Sequence, residues 1–152
     1  MTLQPEPCPL CRDAGGTVLC RNENLRIIAV DDDNHPGLTR VIWQEHTAEM
    51  TQLPPLARNA LMEAVWRVEL AQRQILQPDK VNLAQFGNMV PHLHWHVIPR
   101  WADDSHFPDA IWAAAPARSA EQAAAWAQRK ARIRAALPQY WEALQKCCNA
   151  TT

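Results

Sequence analysis

The 152-residue sequence predicts a single α+β domain, and three features support that prediction. Five short segments have the β-branched and aromatic composition of strands. A long segment between the third and the fourth of them repeats apolar residues at helical spacing. An alanine-rich stretch follows the fifth. Strands and helices that do not alternate regularly are typical of the α+β class, so we expect one sheet, a central helix and a helical tail.

The first three strands are expected at residues 16–20, 25–31 and 39–43. The first two flank a polar turn at residues 21–24, which predicts a hairpin. The second and third are joined by residues 31–37, which are rich in Asp, Asn, Pro and Gly and therefore read as a loop.

The central helix is expected over residues 54–76, where two prolines suit the first turn. Its apolar residues recur at three-and-four spacing and predict one buried stripe: Leu61, Val65, Val68, Ala71 and Ile75. Two further strands are expected at residues 81–86 and 93–100, on either side of a Gly-Asn turn.

The tail is expected to contain two helices that a proline separates. Ser119 and Gln122 have the spacing of a capping box, so a helix should start there and run to Leu137. Pro138 should end it, and a shorter helix should follow over residues 140–147. Four basic residues of the first tail helix favour a solvated face over a phosphate or RNA contact: Arg129, Lys130, Arg132 and Arg134.

Composition limits the possible functions and locations. A formal net charge of −1 argues against a broad nucleic-acid-binding surface. No apolar run approaches the ~18 residues of a membrane span, and the N-terminus lacks the basic and apolar parts of a signal peptide. The five cysteines are an odd number and make a poor disulfide framework. We therefore expect reduced thiols in a cytoplasmic protein with no membrane partner.

Three histidines at every second position are the strongest functional signal: His92, His94 and His96 in the stretch PHLHWHVIPR. On a strand, alternate side chains share a face at a spacing of ~6.5–7 Å, so the three imidazoles should face a cleft. Crowding rings that can each become cationic is unfavourable, which argues against a purely structural role. Such histidines could hold a catalytic metal, or one could attack phosphorus as a nucleophile. The alternation alone leaves both open.

The stretch GNMVPHLHWHVIPR resembles the signature of the histidine triad (HIT) superfamily. DNHPGLTRVIW and VNLAQFGN are similar to the family's strands before the triad, and WADDSHFP is similar to a bacterial branch of HIT-like hydrolases. The resemblance implies a HIT-like fold with an antiparallel sheet of about five strands. It implies one domain over residues 1–152, in which residues 1–112 form the family core and residues 113–152 a helical tail.

The resemblance also implies a nucleotidyl hydrolase or transferase that cleaves at the α-phosphate of a nucleotide, with adenine nucleotides expected. His94 would attack the phosphorus and form a covalent nucleotidyl-imidazole, which water would then resolve. His96 would contact the phosphate oxygens and help to protonate the leaving group, and His92 would complete the catalytic triad. A neutral imidazole suits this chemistry because its usual pKa is about 6.5. Relatives commonly form homodimers, so a homodimer is expected.

Five substrate-binding residues follow from the same comparison. Asp31 would hydrogen-bond the ribose hydroxyls, although it could equally cap its own loop, and Asn82 would contact the phosphate or the attacked group. Gly87 and Asn88 would bring their backbone close to the phosphate. Met89 stands where many relatives carry a hydroxyl or amide that assists the leaving group.

The chain departs from the family pattern in ways that bear on protonation of the leaving group. Met89 cannot donate a proton, and Leu38 stands where other relatives have a further histidine. His106, in the loop after the triad, could supply a donor or could be a surface histidine.

The pair Cys8 and Cys11 is compatible with a redox pair, half of a zinc site or chance. Some HIT relatives, including galactose-1-phosphate uridylyltransferases, bind a structural zinc through such a pair and two histidines. The resemblance implies the ligands Cys8, Cys11, His46 and His92, and no organic cofactor. If no zinc is bound, the segment is an N-terminal turn with two free thiols, and His46 is a surface residue.

Two alternatives of other classes stay open. One is a metal-dependent hydrolase or oxygenase in which His94 and His96 are themselves ligands. The other is a nucleotide-binding or signalling module with negligible turnover.

Overall fold

The computed structural model describes residues 7–148, and a five-stranded antiparallel sheet is its central element. The strands lie in the order β1-β2-β3-β5-β4, and every neighbouring pair is antiparallel. The elements are α1 (Pro9–Arg12), β1 (Thr17–Arg21), β2 (Leu25–Ala29), β3 (Thr39–Trp43), α2 (Pro55–Ala71), β4 (Lys80–Ala84), β5 (His94–Arg100) and α3 (Ala120–Gln145). The α+β class and the hairpin of the first two strands are confirmed.

The two faces of the sheet differ in chemistry because side chains alternate along each strand. Ile27, Val41 and Val97 are fully buried on one face and form a core with α2 and α3. The opposite face carries buried or half-buried polar side chains, including His96 and Arg40, which lie opposite each other in the β3–β5 register. Both long helices therefore cover the apolar face, which leaves the other face for polar groups.

The central helix continues past α2 as a π-helical turn at Gln72–Leu76. Gln72 is fully buried there, and its Nε2 donates to the carbonyl oxygens of Gly37 and Val97 at 3.1 and 2.9 Å. The turn ends at Gln77, whose φ of 52° is left-handed. The predicted helix over residues 54–76 is confirmed, with its last five residues in π geometry.

The tail forms one helix, α3, so the prediction that Pro138 ends the first of two tail helices is wrong. A proline inside a helix costs about 3 kcal/mol or more. Tyr140 and Leu144, on its C-terminal side, are both fully buried, and each such side chain contributes roughly 1.5–3 kcal/mol. Burial beyond the proline thus offsets its cost, and the tyrosine hydroxyl also lies 2.8 Å from Thr39 Oγ1. The capping box of Ser119 and Gln122 is confirmed.

A disulfide joins Cys20 of β1 to Cys148, just after α3, so the expectation of five reduced thiols is wrong for this pair. The two residues are 128 positions apart, with a Cα–Cα distance of 5.7 Å. They meet because α3 runs back across the sheet to β1. Cys8, Cys11 and Cys147 are free.

The loop after β5 folds over the polar face around a buried ion pair. Arg100 donates from Nε to Asp104 Oδ2 at 2.8 Å and from Nη2 to the carbonyl oxygen of Asp109 at 2.8 Å. Its Nη1 donates to Oδ1 of Asn82 on β4 at 2.9 Å. This pair anchors the loop that brings Trp112 to the sheet.

No helix within residues 7–148 has the length and apolar character needed to cross a membrane.

Candidate functional site

His94 and His96 face a pocket of about 660 Å³ on the polar side of the sheet. The pocket is bounded by the N-terminal segment, β3, the turn before β5 and the loop after it. Its lining residues are Pro9, Leu10, Asp13, Gly15, Arg40, Phe86, Gly87, Asn88, Met89, Val90, His94, His96 and Trp112. Four separate parts of the chain thus surround the two imidazoles.

The ring of His94 is oriented by the backbone of its own strand. Its Nδ1 lies 2.6 Å from the carbonyl oxygen of His92, to which it donates. This bond places the ring proton on Nδ1 and leaves a lone pair on Nε2. Burial lowers the pKa of His94; the hydrogen bond to His92 opposes that change, and the charge of Arg40 adds to it. The ring is therefore neutral near pH 7, which a nucleophile requires.

His96 is also neutral, but it is the other tautomer. Only 5% of the residue is exposed, and its ring centroid lies 5.0 Å from that of His94 and 4.9 Å from that of Trp112. Nε of Arg40 donates to Nδ1 of His96 at 3.4 Å, so the proton of the neutral ring is on Nε2. Burial, then Arg40, then His94 lower the pKa of His96 to about 4. The pocket thus contains one imidazole lone pair and one imidazole N–H donor.

His92 is turned away from this pocket. It precedes β5, is fully buried and donates from Nε2 to the carbonyl oxygen of Trp43 at 2.6 Å. Its Nδ1 therefore has a free lone pair, which faces Cys8, Cys11 and His46. The expectation that all three histidines share one cleft holds for His94 and His96, while the ring of His92 belongs to the Cys/His cluster.

The donor atoms of that cluster, Cys8, Cys11, His46 and His92, all lie within 4.8 Å of one another. The two cysteine Sγ atoms are each 3.5 Å from Nδ1 of His92, and Sγ of Cys11 is 3.4 Å from Nδ1 of His46. The two histidine Nδ1 atoms are 3.3 Å apart. Tetrahedral zinc with usual bond lengths requires edges of about 3.6 Å for S–N and about 3.3 Å for N–N. The four residues therefore fit a tetrahedral zinc ion.

The structure brings some of the expected substrate residues to the pocket and not others. Gly87, Asn88 and Met89 line it, with Met89 96% exposed and Gly87 at a φ of 67°. Asn82 is not among the lining residues, and its side-chain oxygen accepts from Arg100. Asp31 is also not brought there.

Asp31 lies in a second cavity of about 530 Å³ on the side of β1, β2 and α3, where Leu38 also lies. The preceding residue, Val30, lines the same second cavity and also packs against Leu10 and Ile28. Asp31 therefore faces a different cavity from the two imidazoles. His106 does not line the pocket either, and its ring stands 4.9 Å from that of His35.

Among the pocket residues that sequence reasoning missed, three lie close to His96: Arg40, Phe86 and Trp112. Arg40 had a usable signal, because it stands between two residues of β3 that are fully buried on the opposite face. Phe86 and Trp112 stack edge to face with centroids 5.0 Å apart and form an aromatic wall beside His96. Trp112 reaches it only through the anchored loop, a long-range contact that no spacing indicates.

Comparison with known proteins gives a consistent result. The family model described as "HIT domain" matches residues 12–103, more than half of the chain. A curated relative, "AP-4-A phosphorylase" of Mycobacterium tuberculosis (strain ATCC 25618 / H37Rv), is 25% identical over 105 residues. The match covers 65% of this chain and 54% of that protein, so the chain spans about half the length of the curated relatives it matches.

Solved structures with the same fold include a histidine triad protein from Marinobacter aquaeolei VT8, with a TM-score of 0.64 and 24% identity. That match covers 89% of this chain and 97% of the other. A second is a Zn-bound histidine triad family protein from Mycobacterium smegmatis, with a TM-score of 0.53, 25% identity, and 86% and 97% coverage. These similarities confirm the fold expected from the sequence.

Proposed function

The chain belongs to the HIT domain family, and on that premise we propose that it is a nucleotidyl hydrolase or transferase acting through a covalent intermediate on His94. The observation that carries the proposal is that two neighbouring neutral imidazoles carry their ring protons on different nitrogens. His94 presents a lone pair on Nε2, and His96 presents an N–H, within one pocket and with ring centroids 5.0 Å apart. A nucleophile and a hydrogen-bond donor so placed suit displacement at a phosphorus atom.

The reaction proceeds in two displacements. Nε2 of His94 attacks the α-phosphorus, and the bond between that phosphorus and the leaving group breaks, so that the leaving group departs with the bonding electron pair. The neutral His96 keeps its ring proton and donates a hydrogen bond from Nε2 to the departing atom, whose negative charge it stabilises. Water then attacks the same phosphorus and loses a proton to solvent, while the bond to His94 breaks, the imidazole returns to its neutral form and a nucleoside monophosphate is released. The carbonyl oxygen of His92 stabilises the positive charge on the His94 ring during the intermediate, because it accepts from Nδ1 throughout. Gly87 and Asn88, which line the pocket, contact the phosphate from the turn before the triad.

The substrate in this proposal is a small nucleotide, with adenine as the favoured base. The relative from Mycobacterium tuberculosis is named an AP-4-A phosphorylase, and that name supports an adenine nucleotide. The pocket is of suitable size for one nucleotide, and its lining includes apolar side chains such as Leu10, Val90 and Trp112.

Zinc belongs to the same proposal, held by Cys8, Cys11, His46 and His92. The donor distances fit the ion, and the related Mycobacterium smegmatis structure is described as Zn-bound. A zinc ion there would act structurally, fixing the N-terminal segment beside the strand that carries His94. A catalytic metal on His94 and His96 is disfavoured, because in residues 7–148 the Cys/His cluster is the one grouping of three or more suitable ligands, and it contains neither.

The homodimer and the cytoplasmic location expected from the sequence stay predictions. Light scattering on the purified chain measures the first, and fractionation of cells measures the second.

Intact mass spectrometry tests the mechanism. The protein is mixed with dinucleoside polyphosphates and with aminoacyl or amine adenylates, and the reaction is quenched early. We expect an added nucleoside monophosphate on the wild type and on His106→Asn, and none on His94→Ala. His96→Asn should react about 10²–10³-fold more slowly, because it lacks the Nε2–H that stabilises the leaving group. Tight nucleotide binding with no adduct and no product from any of these substrates would instead identify a non-catalytic binding module.

Metal analysis of the same variants tests the zinc site. We expect one zinc per chain in the wild type, in His94→Ala and in Cys147→Ser, and loss of zinc in Cys11→Ser. Zinc that is lost from His94→Ala and kept by Cys11→Ser would assign the ion to the triad and overturn this part of the proposal.

A further inference from the structure

Arg40 is a half-buried cation in the histidine pocket with little to neutralise it. Its Nε donates to Nδ1 of His96 at 3.4 Å, a long bond to a neutral ring. In residues 7–148 its side chain makes no salt bridge and no other hydrogen bond. Burial lowers its pKa, which reflects the cost of keeping a charge away from water.

The side chains of the other buried arginines of the same sheet face each donate four hydrogen bonds to the protein. Arg100 binds Asp104, Asn82 and a backbone carbonyl. Arg26 donates to three carbonyl oxygens and to Gln44. A guanidinium has five N–H donors, and in Arg40 only one of them is engaged. The difference indicates that the remaining donors of Arg40 serve a group that enters the pocket.

We infer that Arg40 binds the phosphate oxygens of the substrate, which is a role on β3 additional to that of the histidines. The β3–β5 register places Arg40 opposite His96, so its guanidinium borders the space in front of both imidazoles. A desolvated guanidinium favours an anion, and it matches phosphate oxygens with two parallel N–H donors. This inference rests on the proposed function, because it takes the ligand of the pocket to be a phosphate ester.

Arg40 also determines which nitrogen of His96 carries the ring proton. Its Nε–H occupies the Nδ1 lone pair, which keeps the ring proton on Nε2, where it faces the reacting group. As negative charge develops on the phosphate oxygens, a fixed cation at this position stabilises it. One side chain thus binds the anion and orients the hydrogen-bond donor of His96.

Binding measurements test the inference without any need for turnover. Calorimetry compares AMP with adenosine in the wild type, Arg40→Gln, Arg40→Lys and a control, Arg132→Gln, at an exposed arginine of α3 that does not line the histidine pocket. We expect Arg40→Gln to weaken AMP binding by about 10- to 100-fold, the usual effect of losing charged hydrogen bonds. Adenosine binding should change less than twofold, and Arg40→Lys should keep part of the AMP affinity. Circular dichroism and thermal unfolding verify that each variant is folded.

The outcomes separate this inference from the proposed function. Equal AMP affinity in the wild type and in Arg40→Gln overturns the role of Arg40, even if the His94 adduct forms. Selective loss of AMP affinity in Arg40→Gln supports that role, even if no adduct forms and the proposed chemistry is wrong. A loss of AMP and adenosine binding by the same factor would show a structural effect and would also overturn it.

Discussion

The buried, neutral state of His96 predicts that the protein loses stability as the pH falls below neutrality. The pKa of His96 is about 4 in the folded protein, against about 6.5 for a histidine in an unfolded chain. Between these values the unfolded chain binds a proton that the folded protein does not, so acid favours unfolding. From 1.36 kcal/mol for each pKa unit, this one residue lowers the free energy of unfolding by roughly 2 kcal/mol at pH 5. The loss levels off at roughly 3 kcal/mol below pH 4.

Urea unfolding at pH 7 and pH 5 measures this effect, with wild type and His96→Gln compared at a fixed zinc concentration. Glutamine does not titrate, so the variant should lose roughly 2 kcal/mol less than the wild type between the two pH values. His92 and His94 also have lowered pKa values, but they are present in both proteins and largely cancel in the difference. An NMR titration gives the pKa of His96 directly. A midpoint near 6.5, or equal losses in both proteins, would refute the reasoning.

Three further substitutions are tested by urea unfolding at pH 7. Gly37→Ala should destabilise by roughly 1–3 kcal/mol, because φ is +88° there and a new Cβ would lie 2.7 Å from a leucine methyl carbon; a change below about 0.5 kcal/mol contradicts this. Arg100→Met should cost roughly 3–5 kcal/mol by leaving the Asp104 carboxylate buried and unpaired. The double variant with Asp104→Leu should recover part of that loss, and no recovery would contradict the explanation. Cys20→Ser should cost up to about 5 kcal/mol under oxidising conditions, the chain-entropy limit for a separation of 128 residues. Cys147→Ser should change little, and a similar loss in both would contradict the assigned pairing.

The strands were predictable because their local pattern and their environment agree. The third expected strand coincides with β3, where β-branched and aromatic residues alternate between two buried faces. Pro138 misled the prediction because a local rule assigns it a helix break, whereas the burial of Tyr140 is a tertiary effect. The Cys20–Cys148 disulfide could not be predicted from the sequence for the same reason, because only the path of α3 brings the two residues together.

The candidate site was predictable where neighbours in sequence are neighbours in space. The spacing of two in β5 is enough to place His94 beside His96. It is not enough to place Arg40, because that requires the register between β3 and β5. Asp31 was misplaced because it follows the end of β2, where the position in sequence does not determine which of two cavities a loop residue lines.

The two uses of position 92 come from different atoms, which makes them experimentally separable. His94 is held by the peptide oxygen of residue 92, an atom that every amino acid has. The Sγ atoms of Cys8 and Cys11 lie close to the imidazole of His92, which alanine lacks. A single codon change, His92→Ala, therefore removes one ligand of the proposed zinc site and keeps the acceptor that orients the neighbouring ring. Turnover of this variant would show whether bond cleavage depends on the proposed site.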